Sequence, residues 1–274
     1  FGYGFLPPFL VYHVVDRDGR LVRSEEIAVR GPTMMHDFAI TERHVVFMDL
    51  PIVFDLERAM SGGMPYVWSD DYGARLGILP RDGSAGVRWV EIEPCYVFHP
   101  ANAYERNGEL VIDVARYPRL WDGSAEAFTA ASLHRWTVDL QAGTAREQAL
   151  DDRAIEFPRV DDRRTGLAHR YAYAVAGFRI DGGDSADLVR YDTQTGGTVT
   201  HAFGPGRMPG EGVFVPAGAG EDEGWVLAFV YDKASNGSEL VILDAADLGA
   251  APAARVSLPQ RVPFGFHGNW VPLR

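Results

Sequence analysis

The chain has 274 residues, 46% of them hydrophobic and 12% aromatic, enough apolar material for a packed core and too much for a disordered segment. Its 38 acidic against 26 basic side chains give a formal net charge of −12, which argues against nucleic acid or anionic lipid as an electrostatic partner. Cys95 is the only cysteine and Lys233 the only lysine, so an intramolecular disulfide and a thiolate metal cluster are excluded and a Schiff-base mechanism has almost no candidates.

The 30 glycines and 17 prolines interrupt helices often and point to a β-rich chain. It opens on Phe1-Gly2-Tyr3-Gly4-Phe5 without a Met, and the expectation is that a further N-terminal part lies upstream. Short β-branched and aromatic runs then follow at Phe9 to Val15, His44 to Met48, Val87 to Ile92, Leu110 to Val114, His169 to Val175, Trp225 to Tyr231 and Leu240 to Leu243. Helical signals are confined to Asp55 to Met60 and Ser124 to Ala131, a turn or two each. No run approaches the ~20 apolar residues of a membrane span, and a soluble, cytoplasmic protein is expected.

One device recurs: an apolar strand runs into an Asp, a polar turn with Gly follows, and a second strand leaves. It occurs from Asp16 to Gly19, Asp139 to Gly143, Asp192 to Gly196 and Asp244 to Gly249, with a looser copy at Arg81-Asp82-Gly83. The last three aspartates recur at 53 and 52 residues, the length of a four-stranded meander with its loops. A β-propeller of about five blades' worth of chain, spanning 1–274 as one domain, is therefore predicted in preference to a β-sandwich, whose hairpins repeat at shorter spacing.

Five of the eight histidines, His13, His44, His134, His169 and His201, lie in or beside ordinary strands, and no chemical role is expected of them. His36, His99 and His267 sit in denser apolar surroundings, separated by 63 and 168 residues, of the order of one and three of the repeat units. Inner strands of successive blades run side by side around one axis, so ligands donated one per blade would converge there.

The segments Met34 to Thr41, Cys95 to Glu105 and Pro259 to Val271 resemble the carotenoid cleavage oxygenase family of carotenoid, apocarotenoid and lignostilbene dioxygenases. So do Tyr72 to Arg81, Ile155-Glu156-Phe157-Pro158 and Gly210 to Pro216, in the family's order over nearly the whole chain. The resemblance implies a seven-bladed propeller whose axis holds one non-haem Fe(II) through four histidines. His36, His99 and His267 match three of these, and the fourth is expected upstream of residue 1. Glu156 and Glu211 match carboxylates that hydrogen-bond the iron ligands and fix ring orientation. The implied reaction splits a C=C bond of an apolar conjugated substrate with O2 into two carbonyl products. Phe38, Phe98, Phe264, Phe266 and Trp270 flank the ligand positions and are the candidates for a substrate tunnel. Cys95, in an apolar setting, reads as a buried thiol.

Two other functions fit the same sequence: an incomplete, non-catalytic propeller, and a propeller hydrolase or lactonase using axial Ca²⁺. The latter needs Asp, Glu and Asn ligands, and the histidine-rich strand contexts argue against it. The family's habit of dipping an apolar patch into lipid leaves peripheral membrane contact open.

Overall fold

A computed structural model describes residues 1–122, 130–178, 183–263 and 267–272. The described chain is built almost wholly of antiparallel β-sheet, in units that follow one another along the sequence. The first unit is a three-stranded sheet of β1 (Gly2–Tyr3), β2 (Leu10–Val15) and β3 (Leu21–Glu26). The second begins with β4 (Ala39–Ile40) and β5 (His44–Asp49). A small hairpin of β6 (Ile52–Phe54), helix α1 (Leu56–Met60) and β7 (Tyr66–Trp68) interrupts it, and β8 (Ala74–Pro80) and β9 (Arg88–Ile92) complete the order β4-β5-β8-β9.

The third unit is a simple meander of β10 (Tyr96–Arg106), β11 (Glu109–Tyr117), β12 (Ser132–Asp139) and β13 (Thr144–Ala149). The fourth repeats it with β14 (Ile155–Arg159), β15 (Tyr171–Ala176), β16 (Asp187–Asp192) and β17 (Thr198–His201). In the fifth, β18 (Arg207–Pro209) and β19 (Val213–Pro216) share one partner, β20 (Gly224–Asp232), followed by β21 (Gly237–Asp244) and β22 (Ala254–Ser257). The first strands of the second, third and fourth units, β4, β10 and β14, pack side by side, whereas outer strands such as β13 and β22 are largely exposed. This is the radial layout of propeller blades.

The Asp-to-Gly device is the outer hairpin of each unit. Asp139 Oδ1 accepts the N–H groups of Gln141 and Ala142 between β12 and β13, and Asp192 Oδ1 those of Gln194 and Thr195 between β16 and β17. Gly143 and Gly196 close these turns at φ of 71° and 76°, a region that L side chains rarely occupy. The last copy differs. Its connection is longer, Ala250 N–H bonds back to Asp247 O, and Gly249 is not left-handed. The helix at Leu56–Met60 forms as predicted, with Asp55 capping Arg58 N–H at 3.0 Å. The second helical signal, Ser124 to Ala131, lies mostly in 123–129, outside the described residues.

Buried polar groups tie neighbouring sheets together. Glu105, at the end of β10, accepts from Thr41 Oγ1 at 2.6 Å, Arg43 N–H at 3.1 Å and His44 Nδ1 at 3.0 Å. Burial pushes its pKa up, but these donors outweigh burial and hold the carboxyl down at about 2. One unit further on, Asp113 of β11 takes a two-pronged contact from Arg135 of β12, at 2.6 and 2.8 Å, and its Oδ2 lies 3.2 Å from His169 Nε2 of the fourth unit. Asn102 of β10 donates to Arg164 O and Leu167 O and accepts Gly166 N–H, so one side chain saturates the loop that leads into β15. His44, His134 and His169 thus each face a carboxylate, which the sequence did not suggest, and His169 is fully enclosed. Cys95 is buried as expected, and burial pushes its thiol up to about 12, far from the range of a nucleophile.

Candidate metal centre

His36 lies on an extended segment just before β4. Met34 N–H bonds Ile52 O at 2.8 Å and Tyr96 hydroxyl donates to Met34 O at 2.9 Å, so the segment is pinned from two units. His99 is in the middle of β10, where the register against β11 slips on either side of Pro100. Proline cannot donate to the ladder, and the bulge it forces re-aims the neighbouring side chains. Glu156 is on β14, and the next residue, Phe157, is left-handed at φ 53° where the register against β15 also slips. Consecutive strand residues normally face opposite sides; this bulge lets Glu156 and Phe157 both face His99. Glu211 lies in the gap between β18 and β19, and His267 on the segment 267–272 beyond the last strand.

Three of these elements bring His36, His99 and His267 together, with one ring nitrogen from each within 4.8 Å of the others. Ring centroids are 5.1 Å apart for His36 and His99 and 4.8 Å for His99 and His267. Among the described residues no other three metal-capable side chains converge in this way. His99 Nδ1 donates to Glu156 Oε2 at 2.7 Å and His267 Nδ1 to Glu211 Oε2 at 2.9 Å. Both carboxylates are buried and held in turn. Glu156 accepts from Tyr117 hydroxyl at 2.9 Å and from Phe157 N–H at 2.6 Å, and Glu211 from Arg159 Nη1 at 2.5 Å.

With its Nδ1–H spoken for, His99 presents Nε2 as a buried atom without a hydrogen-bond partner. Such an orphan costs about 1–3 kcal/mol and calls for a partner that side chains do not supply. Burial, then the neighbouring His99 and His267, lower the pKa of His36, which favours the neutral form a metal requires. Neutral imidazoles suit a transition ion and not Ca²⁺, which takes oxygen ligands.

The three rings open onto a cavity of about 360 Å³ walled by Phe98, Tyr117, Trp121, Phe157 and Phe178. A second cavity of about 370 Å³ meets it at Phe157, Phe178 and His267 and is bounded by Trp270. Phe98 and Trp270 line these cavities. Phe38 does not: Asp37 Oδ1 bonds Phe38 N–H, the chain turns, and the ring packs on Phe1 and Phe47 beneath the first two sheets, lining neither cavity. Phe264 and Phe266 lie outside the described residues. Tyr117, Trp121, Phe157, Phe178 and Arg159 were not singled out from sequence. Only Phe157, beside Glu156 in the Glu-Phe-Pro motif, carried a signal that could have found it.

A run of antiparallel sheets that brings three histidines together, two of them braced by a glutamate, defines a propeller with a histidine cluster able to hold a metal. The comparisons narrow this further. The family model described as "RPE65: Retinal pigment epithelial membrane protein" matches residues 1–272, and the chain belongs to this carotenoid cleavage oxygenase family. It is 37% identical to a carotenoid cleavage oxygenase of Mycobacterium tuberculosis over 95% of this chain and 62% of that protein. It is 35% identical to a carotenoid 9,10(9',10')-cleavage dioxygenase of Crocus sativus over 99% of this chain and 54% of that protein. The crystal structure of cobalt-substituted Synechocystis apocarotenoid oxygenase superposes with a TM-score of 0.87 at 30% identity, covering 95% of this chain and 58% of that one. The chain thus spans little more than half the length of these relatives.

Proposed function

We propose that the protein is a non-haem Fe(II) dioxygenase that cleaves a C=C bond of a carotenoid, apocarotenoid or stilbene-type substrate, giving two carbonyl products. The observation that carries this reading is the cluster of three imidazoles, two of them braced by buried glutamates, opening onto an aromatic cavity. His36, His99 and His267 would hold the iron, which supplies the site where dioxygen is activated. Glu156 and Glu211 fix the tautomers of His99 and His267, so that each offers a bare Nε2, and return negative charge to a centre whose ligands are neutral. The aromatic walls exclude water and align a flat conjugated chain by ring contact. No proton donor among these residues is required by the overall reaction.

Anaerobic loading with Fe(II), followed by incubation under air with an apocarotenal and a hydroxystilbene in detergent micelles, tests the reading. One iron per chain with paired carbonyl products is the expected result. Iron uptake without cleavage would favour the non-catalytic alternative, and failure to take up iron would overturn the metal centre itself.

The apolar substrate and the exposed side chains around α1 together support the further proposal that this protein, expected from its sequence to be cytoplasmic, touches neutral lipid. Leu56 is 62% exposed, Met60 82% and Met64 44%, and Phe5, also exposed, stacks on Phe54 nearby. The net charge of −12 makes a zwitterionic surface the fitting one. No helix among the described residues is long and apolar enough to cross a membrane. Co-sedimentation with phosphatidylcholine vesicles should fall about tenfold or more when Leu56 and Met60 are both replaced by Ser, since each gives up part of the transfer energy of a large apolar side chain. Unchanged binding would remove this face as the contact.

A further inference from the structure

We propose that Arg159 is a positioning residue that latches the segment carrying His267 onto the axis, so that the third histidine reaches the metal only while this guanidinium is engaged. The inference deepens the metal-centre reading above and rests on it.

Residues 267–272 form no strand among the described residues, and the His267 side chain is 51% exposed against 13% for His99. His99 is carried by a strand whose ladder to β11 holds it on both sides; among the described residues His267 has no such ladder. Side chains from two other units hold it instead. Glu211 accepts His267 Nδ1–H on one oxygen at 2.9 Å, and Gly268 N–H on the other at 3.3 Å. Arg159 closes the arrangement. Its Nη1 donates to that second Glu211 oxygen at 2.5 Å and to Gly268 O at 3.3 Å, while Nη2 donates to Asn269 Oδ1 at 3.3 Å and to Asp162 Oδ1 at 2.9 Å. One planar fork thus grips the glutamate that orients His267 and two residues that follow it. A guanidinium is suited to this because its donors diverge in fixed directions.

The placement on the strand is also specific. Arg159 ends β14 beyond the bulge that turns Glu156 toward His99, so one short strand carries both the brace of His99 and the tether of His267. Without the guanidinium, the inner Glu211 carboxylate, 3% exposed, would keep His267 and Gly268 N–H but lose the one arginine that pairs with it among the described residues. The carboxylate would then be drawn toward water, and the His267 segment with it.

The test titrates Co(II) into the protein under argon, following the visible absorption of the bound ion, for the wild type, Arg159→Gln and Arg159→Lys. Hydrogen exchange of residues 267–272 and thermal melts are recorded on the same metal-free samples. Arg159→Gln is expected to weaken Co(II) binding about 10–100-fold, the usual cost of removing an outer partner of a metal site. Amide exchange should rise at 268–272 while β10 to β13 stay protected and the melt stays within a few degrees of wild type. Arg159→Lys restores a charge on Glu211 but cannot also fork to Gly268 and Asn269, and should recover part of the affinity. Wild-type Co(II) affinity in Arg159→Gln, or exchange that rises equally throughout the fold, would overturn the latch. If the wild type itself binds no Co(II), the metal-centre reading falls, and the exchange of 268–272 alone then decides whether Arg159 tethers the segment.

Discussion

Replacing His99 by alanine is expected to empty the metal centre. Measured by elemental analysis after Fe(II) loading and desalting, iron should fall from about one per chain to less than about a tenth. His99 is the most enclosed of the three rings, the one whose second nitrogen is left bare in the interior, and the one set between the other two. Loss of its imidazole leaves His36 and His267 without the shared neighbour that both pack against. Glu156→Gln is expected to act in the same direction but less, by about 10–100-fold in affinity, because the amide can still accept one hydrogen bond but carries no charge. The metal-free melting midpoint of His99→Ala should stay within a few degrees of wild type, since the substitution also removes an unpartnered buried nitrogen. Stoichiometric iron in His99→Ala would refute the assignment.

Replacing Asp113 by alanine is expected to be the most destabilising single change outside the apolar core. The carboxylate is fully enclosed and answers two partners, the Arg135 fork and His169, so its loss strands a buried guanidinium and an imidazole. Breaking a buried pair from one side costs about 3–5 kcal/mol, or roughly 10 °C in melting midpoint for a chain of this size. The pH dependence follows from the same contacts. Burial alone would raise the Asp113 pKa, but Arg135 and His169 outweigh it and the folded value lies below the ordinary one. A carboxyl depressed on folding contributes fully above its unfolded pKa, and that contribution fades as pH falls through the folded value. Glu105, brought from 4.5 down to about 2, does the same at the neighbouring junction. Urea unfolding of the wild type should therefore weaken steeply between pH 4.5 and 2, and less steeply in Asp113→Ala. A midpoint within 2–3 °C of wild type at neutral pH, or an unaltered acid slope, would show that the network is not structural.

Fold and site differ in how much of each was legible in the sequence. The repeat was visible because the turn between outer strands needs an aspartate to cap free N–H groups and a glycine to close left-handed, a local requirement met in every unit but the last. The convergence of His36, His99 and His267 was inferred from their matching segments, and the cluster forms. What sequence could not show are the contacts between units. Tyr117 meets Glu156 across 39 residues and Arg159 meets Gly268 across 109, and no local pattern marks either pair. Phe38 illustrates the opposite failure. Two positions from His36, it would share its side in a regular strand, but the chain is not a strand there and the ring turns away. The Glu-Phe-Pro motif marks Phe157, but strand alternation would send its ring away from His99, and only the left-handed backbone turns it inward.

Four of the five polar side chains of the centre come from successive units, each from the first strand of its unit or the segment beside it, and the fifth, His267, from the segment after the last described strand. The distances among them therefore register the angle between one sheet and the next, not the internal shape of any sheet. An ion gripped there acts as a hub across joints that are otherwise secured by side chains. Removing it should slacken the protein at its seams while leaving each sheet as stiff as before.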